Sequence, residues 1–214
     1  DAAWRAMIEV LYDTNRMTTR FDTALAAALG SDPRVLADCQ TFFGGAMGQR
    51  VLALEIEARL TLLDDAAEAA AKEAWGKLAA SNPARADQID RFAIVNDLIE
   101  SNVMGALNAN LAFYHGLSAA GGFGDPMPED RMLTEVWTQE QNIRRDTTDW
   151  LYPFLMLSYQ PLTQPELQAY IDFSETDSGK KLNAAMFLAF DAVMADLSRD
   201  LGAAAGRLMV GQDI

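Results

Sequence analysis

His115 is the single histidine of this 214-residue chain, and it stands between Tyr114 and Gly116. An imidazole changes charge near neutral pH, so it suits the work of a general base or of a lone metal ligand. A hydrolase-like enzyme would use it with nearby carboxylates. The competing reading is a histidine near a helix end, where the dipole favours its cation. Cys39 is the single cysteine, and no recognisable catalytic signature surrounds it. Ser178-Gly179-Lys180-Lys181 looks superficially like a phosphate-binding turn. A P-loop needs GxxxxGK[ST] after a buried strand, and neither is present. Gly179 is then better read as the pivot of a tight interhelical turn.

One histidine excludes sites built on two imidazoles, which removes most zinc centres, the HExxH proteases and the di-iron bundles. One cysteine excludes an internal disulfide. The acidic groups at Asp64-Asp65, Glu68, Glu129-Asp130 and Asp146/Asp149 lack the spacing of a calcium loop and read as solvated surface. No metal and no cofactor is expected. Lys+Arg 17 against Asp+Glu 31 gives a net charge of −14, which repels nucleic-acid phosphates and anionic headgroups, so no nucleic-acid partner is expected. Trp137, Trp150 and Tyr152 cluster around Arg144-Arg145. These side chains suit an apolar or anionic small molecule, or a peptide, held in a cleft. They equally suit the filling of additional core.

The elements that must carry these residues are helices, because apolar residues recur at three- and four-residue steps and no period-2 run of β-branched residues occurs. The spacing predicts helices over about 4–29, 33–43, 47–80, 84–117, 129 to beyond 150, 164–173 and 178–209. Pro153 is expected to kink or divide the helix that contains it. Ser31 or Asp32 ahead of Pro33, and Thr163 with Glu166, form helix starts. Gly116 to Glu129 reads as the one long loop. No uncharged apolar run is long enough to span a membrane. The residues from Asp1 onward show no charged leader, an opening that fits a mature secreted protein and a cytosolic one alike.

Self-comparison finds two similar turns. Phe42 precedes Gly48 by six residues, and Phe173 precedes Gly179 by six; two long polar residues and an aliphatic follow in both. Upstream, Pro33-Arg34-Val35-Leu36 matches Gln164-Pro165-Glu166-Leu167, and Leu11 to Met17 matches Leu98 to Met104. The reading is two related helical halves, 1–82 and 83–214, the second with an insertion at about 113–158. Chance similarity between helix–Gly–helix turns is the alternative. Phe42, Gly48, Phe173 and Gly179 are the expected structural turn residues.

Tyr159-Gln160-Pro161-Leu162-Thr163-Gln164-Pro165-Glu166-Leu167, Tyr170-Ile171-Asp172-Phe173 and Ser178-Gly179-Lys180-Lys181-Leu182 resemble a bacterial family, the one catalogued as domain of unknown function twenty fifty-nine. The resemblance covers about 159–209, with a weaker echo at about 33–74. It departs from the usual pattern at Ser174, in place of a second aromatic, and at Asp177, in place of proline. It implies an all-α protein of the Gram-negative periplasm or a secreted one, and it implies no activity.

Together these readings predict an all-α bundle of about eight to ten helices. The expected function is a non-enzymatic envelope module that binds a small molecule, a peptide or another envelope protein, with Trp137, Arg144, Arg145, Trp150 and Tyr152 as contact residues. The alternative is the hydrolase-like enzyme using His115.

Overall fold

The computed structural model describes residues 2–30 and 32–211, and side chains for these apart from residues 2–4 and 6. All regular structure among the described residues is α-helical: α1 (Ala2–Leu11), α2 (Thr14–Leu29), α3 (Pro33–Gly44), α4 (Ala46–Thr61), α5 (Asp65–Ser81), α6 (Pro83–Val95), α7 (Leu98–Ala119), α8 (Glu129–Trp137), α9 (Glu140–Tyr159), α10 (Gln164–Glu175) and α11 (Asp177–Met209). The all-α reading of the sequence therefore holds. No described helix is long and apolar enough to cross a membrane.

Several long helices of the sequence reading are divided, two of them at an acidic side chain that caps the next helix. Asp13 accepts from the amide of Arg16 at 2.7 Å and starts α2. Asp64 accepts from Ala67 at 2.8 Å and starts α5. Asn96-Asp97 separates α6 from α7, with Asp97 at φ 49°, a conformation that short polar residues tolerate. Such side chains satisfy the orphan amides of a helix start, and apolar periodicity alone does not register them. Pro153 lies inside α9, which continues through it; the division falls instead at Thr138-Gln139. Asp32 caps α3 through the amide of Arg34, with Pro33 in the first turn, while Ser31 lies outside the described residues. Thr163 and Glu166 form the reciprocal capping box of α10.

The chain packs as two compact units. One comprises Asp1–Gly30, Ser101–Ile143 and Ala185–Ile214; the other comprises Ser31–Glu100 and Arg144–Ala184. This division is not that of the two sequence halves, since each unit draws on both of them.

The second unit has a core in which Val51, Ala58, Ile89, Phe92, Leu155, Tyr159, Leu167 and Ile171 are buried together. Arg85 of α6 lies against the connection from α9 to α10. Its guanidinium donates to the carbonyls of Tyr159 and Leu162 and to Gln88 Oε1, and the Gln88 amide donates to the Gln164 carbonyl at 2.8 Å. One planar fork with several donors thus satisfies the Leu162 carbonyl and adds to the bond that the Leu162 amide gives the Tyr159 carbonyl.

In the first unit, α7 and α11 meet backbone to backbone. A β-carbon on Gly116 would lie 2.0 Å from the Arg199 carbonyl oxygen, and one on Gly202 would lie 2.1 Å from that of Phe113. Glycine is required at both positions by this close approach. The predicted loop from Gly116 is accordingly shorter, because α7 runs on to Ala119 with Gly116 buried inside it.

Candidate functional site

The two turns matched in the sequence come together in the second unit. α3 ends at Gly44 and α4 starts at Ala46; α10 ends at Glu175 and α11 starts at Asp177. A β-carbon on Gly48 would lie 2.2 Å from the Phe42 carbonyl oxygen, and one on Gly179 would lie 2.2 Å from that of Phe173. In both turns the missing side chain lets the first turn of the second helix cross the last turn of the first. This brings Phe42 and Phe173 face to face, with ring centroids 4.1 Å apart and planes at 12°. Phe43 stands edge-on to Phe173 at 5.4 Å, and Tyr170 stacks against Phe42 at 5.5 Å.

A groove of about 540 Å³ opens between these turns. On α3 the steps 34, 38, 41 and 42 place Arg34, Asp38, Thr41 and Phe42 on one helical face lining it. Met47 and Ala46 line it from α4, and Phe173 and Ser178 from the opposite turn. The Ser178 hydroxyl donates to Asp38 Oδ2 at 2.5 Å, and Arg34 Nε lies 4.0 Å from the same oxygen. A groove of aromatic and thioether surface with a few converging polar groups is the usual composition of a small-ligand site. Sequence reading assigned Phe42, Phe173, Gly48 and Gly179 a structural role, took Ser178 only as part of the second turn, and did not single out Arg34, Asp38 or Met47 as site residues. The face spacing on α3 was the available signal; the facing of the two turns was not.

Beside the groove, Cys39 is no activated nucleophile. Burial, and then the neighbouring Asp38 carboxylate, push its thiol above the ordinary value.

The aromatics of the predicted insertion are divided between the two units. Trp137 belongs to the first unit and is exposed at the end of α8. The other four predicted contact residues belong to the second unit. Tyr152 stacks on Trp75 at 5.1 Å and donates its hydroxyl to Asp90; burial, and then that bond, push its pKa up to about 12. Arg144 forms a two-pronged ion pair with Glu100, which holds that carboxyl below its ordinary value. Arg145 pairs with its neighbour Asp146 at 3.2 Å, and Trp150 stacks on Phe154 at 4.9 Å. Tyr152 and Arg144 are thus engaged within the fold, whereas Trp150 and Arg145 reach solvent.

His115 is brought to a carboxylate, with Nε2 3.3 Å from Glu129 Oε1, and both side chains are largely open to solvent. Among the described residues, no group of three or more His, Cys, Asp or Glu side chains is arranged to hold a metal.

A second polar centre, unforeseen in the sequence, lies in the core of this second unit. Glu55 of α4 accepts from the hydroxyl of Tyr159 at 2.8 Å and from that of Tyr170 at 3.4 Å. Arg59 lies 3.6 Å from the same carboxylate and sits over the Phe154 ring. Burial, reinforced by the Glu55 charge, raises both tyrosines well above their ordinary pKa. The arrangement anchors α4 to α9 and α10.

Comparison with protein-family models, curated proteins and solved structures gives no match to this chain.

Proposed function

We propose that the protein is a non-enzymatic binding module that takes a small molecule or the end of a peptide in the groove between the α3–α4 and α10–α11 turns. The observation that carries this reading is the stacked Phe42–Phe173 pair in a groove of about 540 Å³ that also holds Arg34, Asp38 and Ser178. Aromatic surface supplies affinity for an apolar body, and the Arg34–Asp38–Ser178 row supplies orientation for a polar end. The groove supports binding better than the inserted segment does, because Tyr152 and Arg144 already have partners inside the fold. The family resemblance supports an envelope location, periplasmic or secreted. The shared geometry of the two turns favours the internal duplication over chance.

Native mass spectrometry of the protein purified gently from its own host tests this reading, beside the variant Ala46→Trp. Ala46 lines the groove and is exposed, so an indole there fills the space without entering the core. A reproducible extra mass on the native chain that Ala46→Trp abolishes is the expected result. An extra mass retained by Ala46→Trp would remove the groove from the proposal.

The hydrolase-like alternative rests on the His115–Glu129 pair. Its test is a broad hydrolase screen, in which an activity lost in His115→Ala would favour the enzyme.

A further inference from the structure

Helix α4 is apolar on two opposite sides. Val51, Ala58 and Leu62 at its end enter the core. Leu52, Ile56 and Leu60 form a row one turn apart on the other side, 38, 59 and 64% exposed, and Leu63 in the turn that follows is 79% exposed. Isolated exposed leucines are ordinary on a protein surface, but a contiguous row about 12 Å long on one helix is the form of a docking face. None of the groove's lining residues belongs to it.

The charge around this row selects among occupants. Glu55 faces the core, but between residues 52 and 68 the chain also carries Glu57, Asp64, Asp65 and Glu68 against the cation Arg59, and of these Glu68 pairs with Lys72. Glu57, Asp64 and Asp65 are exposed. A second copy would bring the same carboxylate excess against itself, on a chain already at −14. An anionic membrane surface would be repelled as well. A helix with its own apolar stripe flanked by Lys or Arg meets both requirements, burying the leucine row and neutralising its rim. We propose that the exposed face of α4 docks a basic amphipathic helix of a partner protein.

The test uses the full chain and three synthetic helical peptides about five turns long, in the size range of amphipathic ligands. One carries Leu at i, i+4, i+8 and i+11 with flanking Lys; the second has the same composition with the Leu scattered; the third replaces Lys with Glu. Titration by tryptophan fluorescence or calorimetry should show binding of the first peptide only. Ile56→Ser with Leu60→Ser should weaken it by about tenfold or more. Glu57→Gln with Asp65→Asn should weaken it and flatten its salt dependence. Both pairs are exposed, and an unchanged melting midpoint establishes that the variants fold. Equal binding of the striped and scattered peptides, or insensitivity to the leucine-row variant, would overturn the proposal. A dimer that dissociates in Ile56→Ser/Leu60→Ser would overturn it in favour of a second copy, and binding to anionic vesicles through the same residues in favour of a membrane.

Discussion

Phe42 and Phe173, 131 positions apart in sequence, lie stacked with ring centroids 4.1 Å apart. Each is the residue whose carbonyl a glycine six positions later must avoid: Gly48 for Phe42, Gly179 for Phe173. The ring stack and the two helix crossings are therefore one device, and a change at either glycine displaces a wall of the groove.

Gly48→Ala and Gly179→Ala should each destabilise the protein by about 1–3 kcal/mol, because the new methyl meets backbone that cannot rotate away. Gly76→Ala is the opposite case. It lies in α5, a β-carbon there meets nothing within 4 Å, and its replacement should stabilise by up to about 1 kcal/mol. Urea denaturation of the three variants checks this. A neutral Gly48 or Gly179 variant would mean that the crossing yields.

The α7–α11 contact gives the matching expectation for the first unit. Gly116→Ala and Gly202→Ala should each lower the melting midpoint, at a cost of about 1–3 kcal/mol, by forcing the two helix backbones apart. Because each glycine packs on the other helix, the double variant should cost less than the sum of the two. Additive costs in thermal scans would argue against a shared crossing.

Tyr159→Phe should cost about 1.5–3 kcal/mol, since it removes a 2.8 Å bond to the Glu55 carboxylate from a buried hydroxyl. Tyr170→Phe, with a 3.4 Å bond to the same oxygen, should cost under about 1 kcal/mol. A reversed order in denaturant titrations would refute this ranking.

The same tyrosines set an alkaline limit. Tyr152, Tyr159 and Tyr170 are raised in the folded state above their ordinary value of 10.0, so above that pH the unfolded chain releases protons that the folded chain keeps. Their contribution is fully present below about pH 10 and is lost as pH climbs toward the folded values. Stability measured from pH 8 to 11 should fall, and fall less steeply in Tyr159→Phe.

Arg85→Met should cost about 1–3 kcal/mol, because the Leu162 carbonyl loses its donor and the Tyr159 carbonyl keeps only the amide of Leu162 where the α9–α10 connection is packed. Arg85→Lys should recover only part of this, since an ammonium lacks the guanidinium's planar fork. Full rescue by lysine in equilibrium unfolding would show that charge alone matters there.

The sequence by itself determined what is decided within a few residues. Helical spacing, Pro33 after Asp32, the Thr163–Glu166 box and the Phe–x5–Gly turns were all legible, because caps, φ preferences and side-chain periodicity act over one or two turns. The internal breaks at Asp13, Asp64 and Asp97 were missed, since a single acidic residue within an apolar-periodic stretch reads equally as surface or as cap. Only the tertiary structure decided which distant partners those pieces find. It set Phe42 on Phe173, Gly116 against Arg199, Ser178 on Asp38 and both tyrosines on Glu55. It also paired Tyr152 with Asp90 and Arg144 with Glu100. These pairings depend on close packing of whole helices, in which a position's neighbours come from shape and volume across the fold, and a one-dimensional pattern carries little of that information.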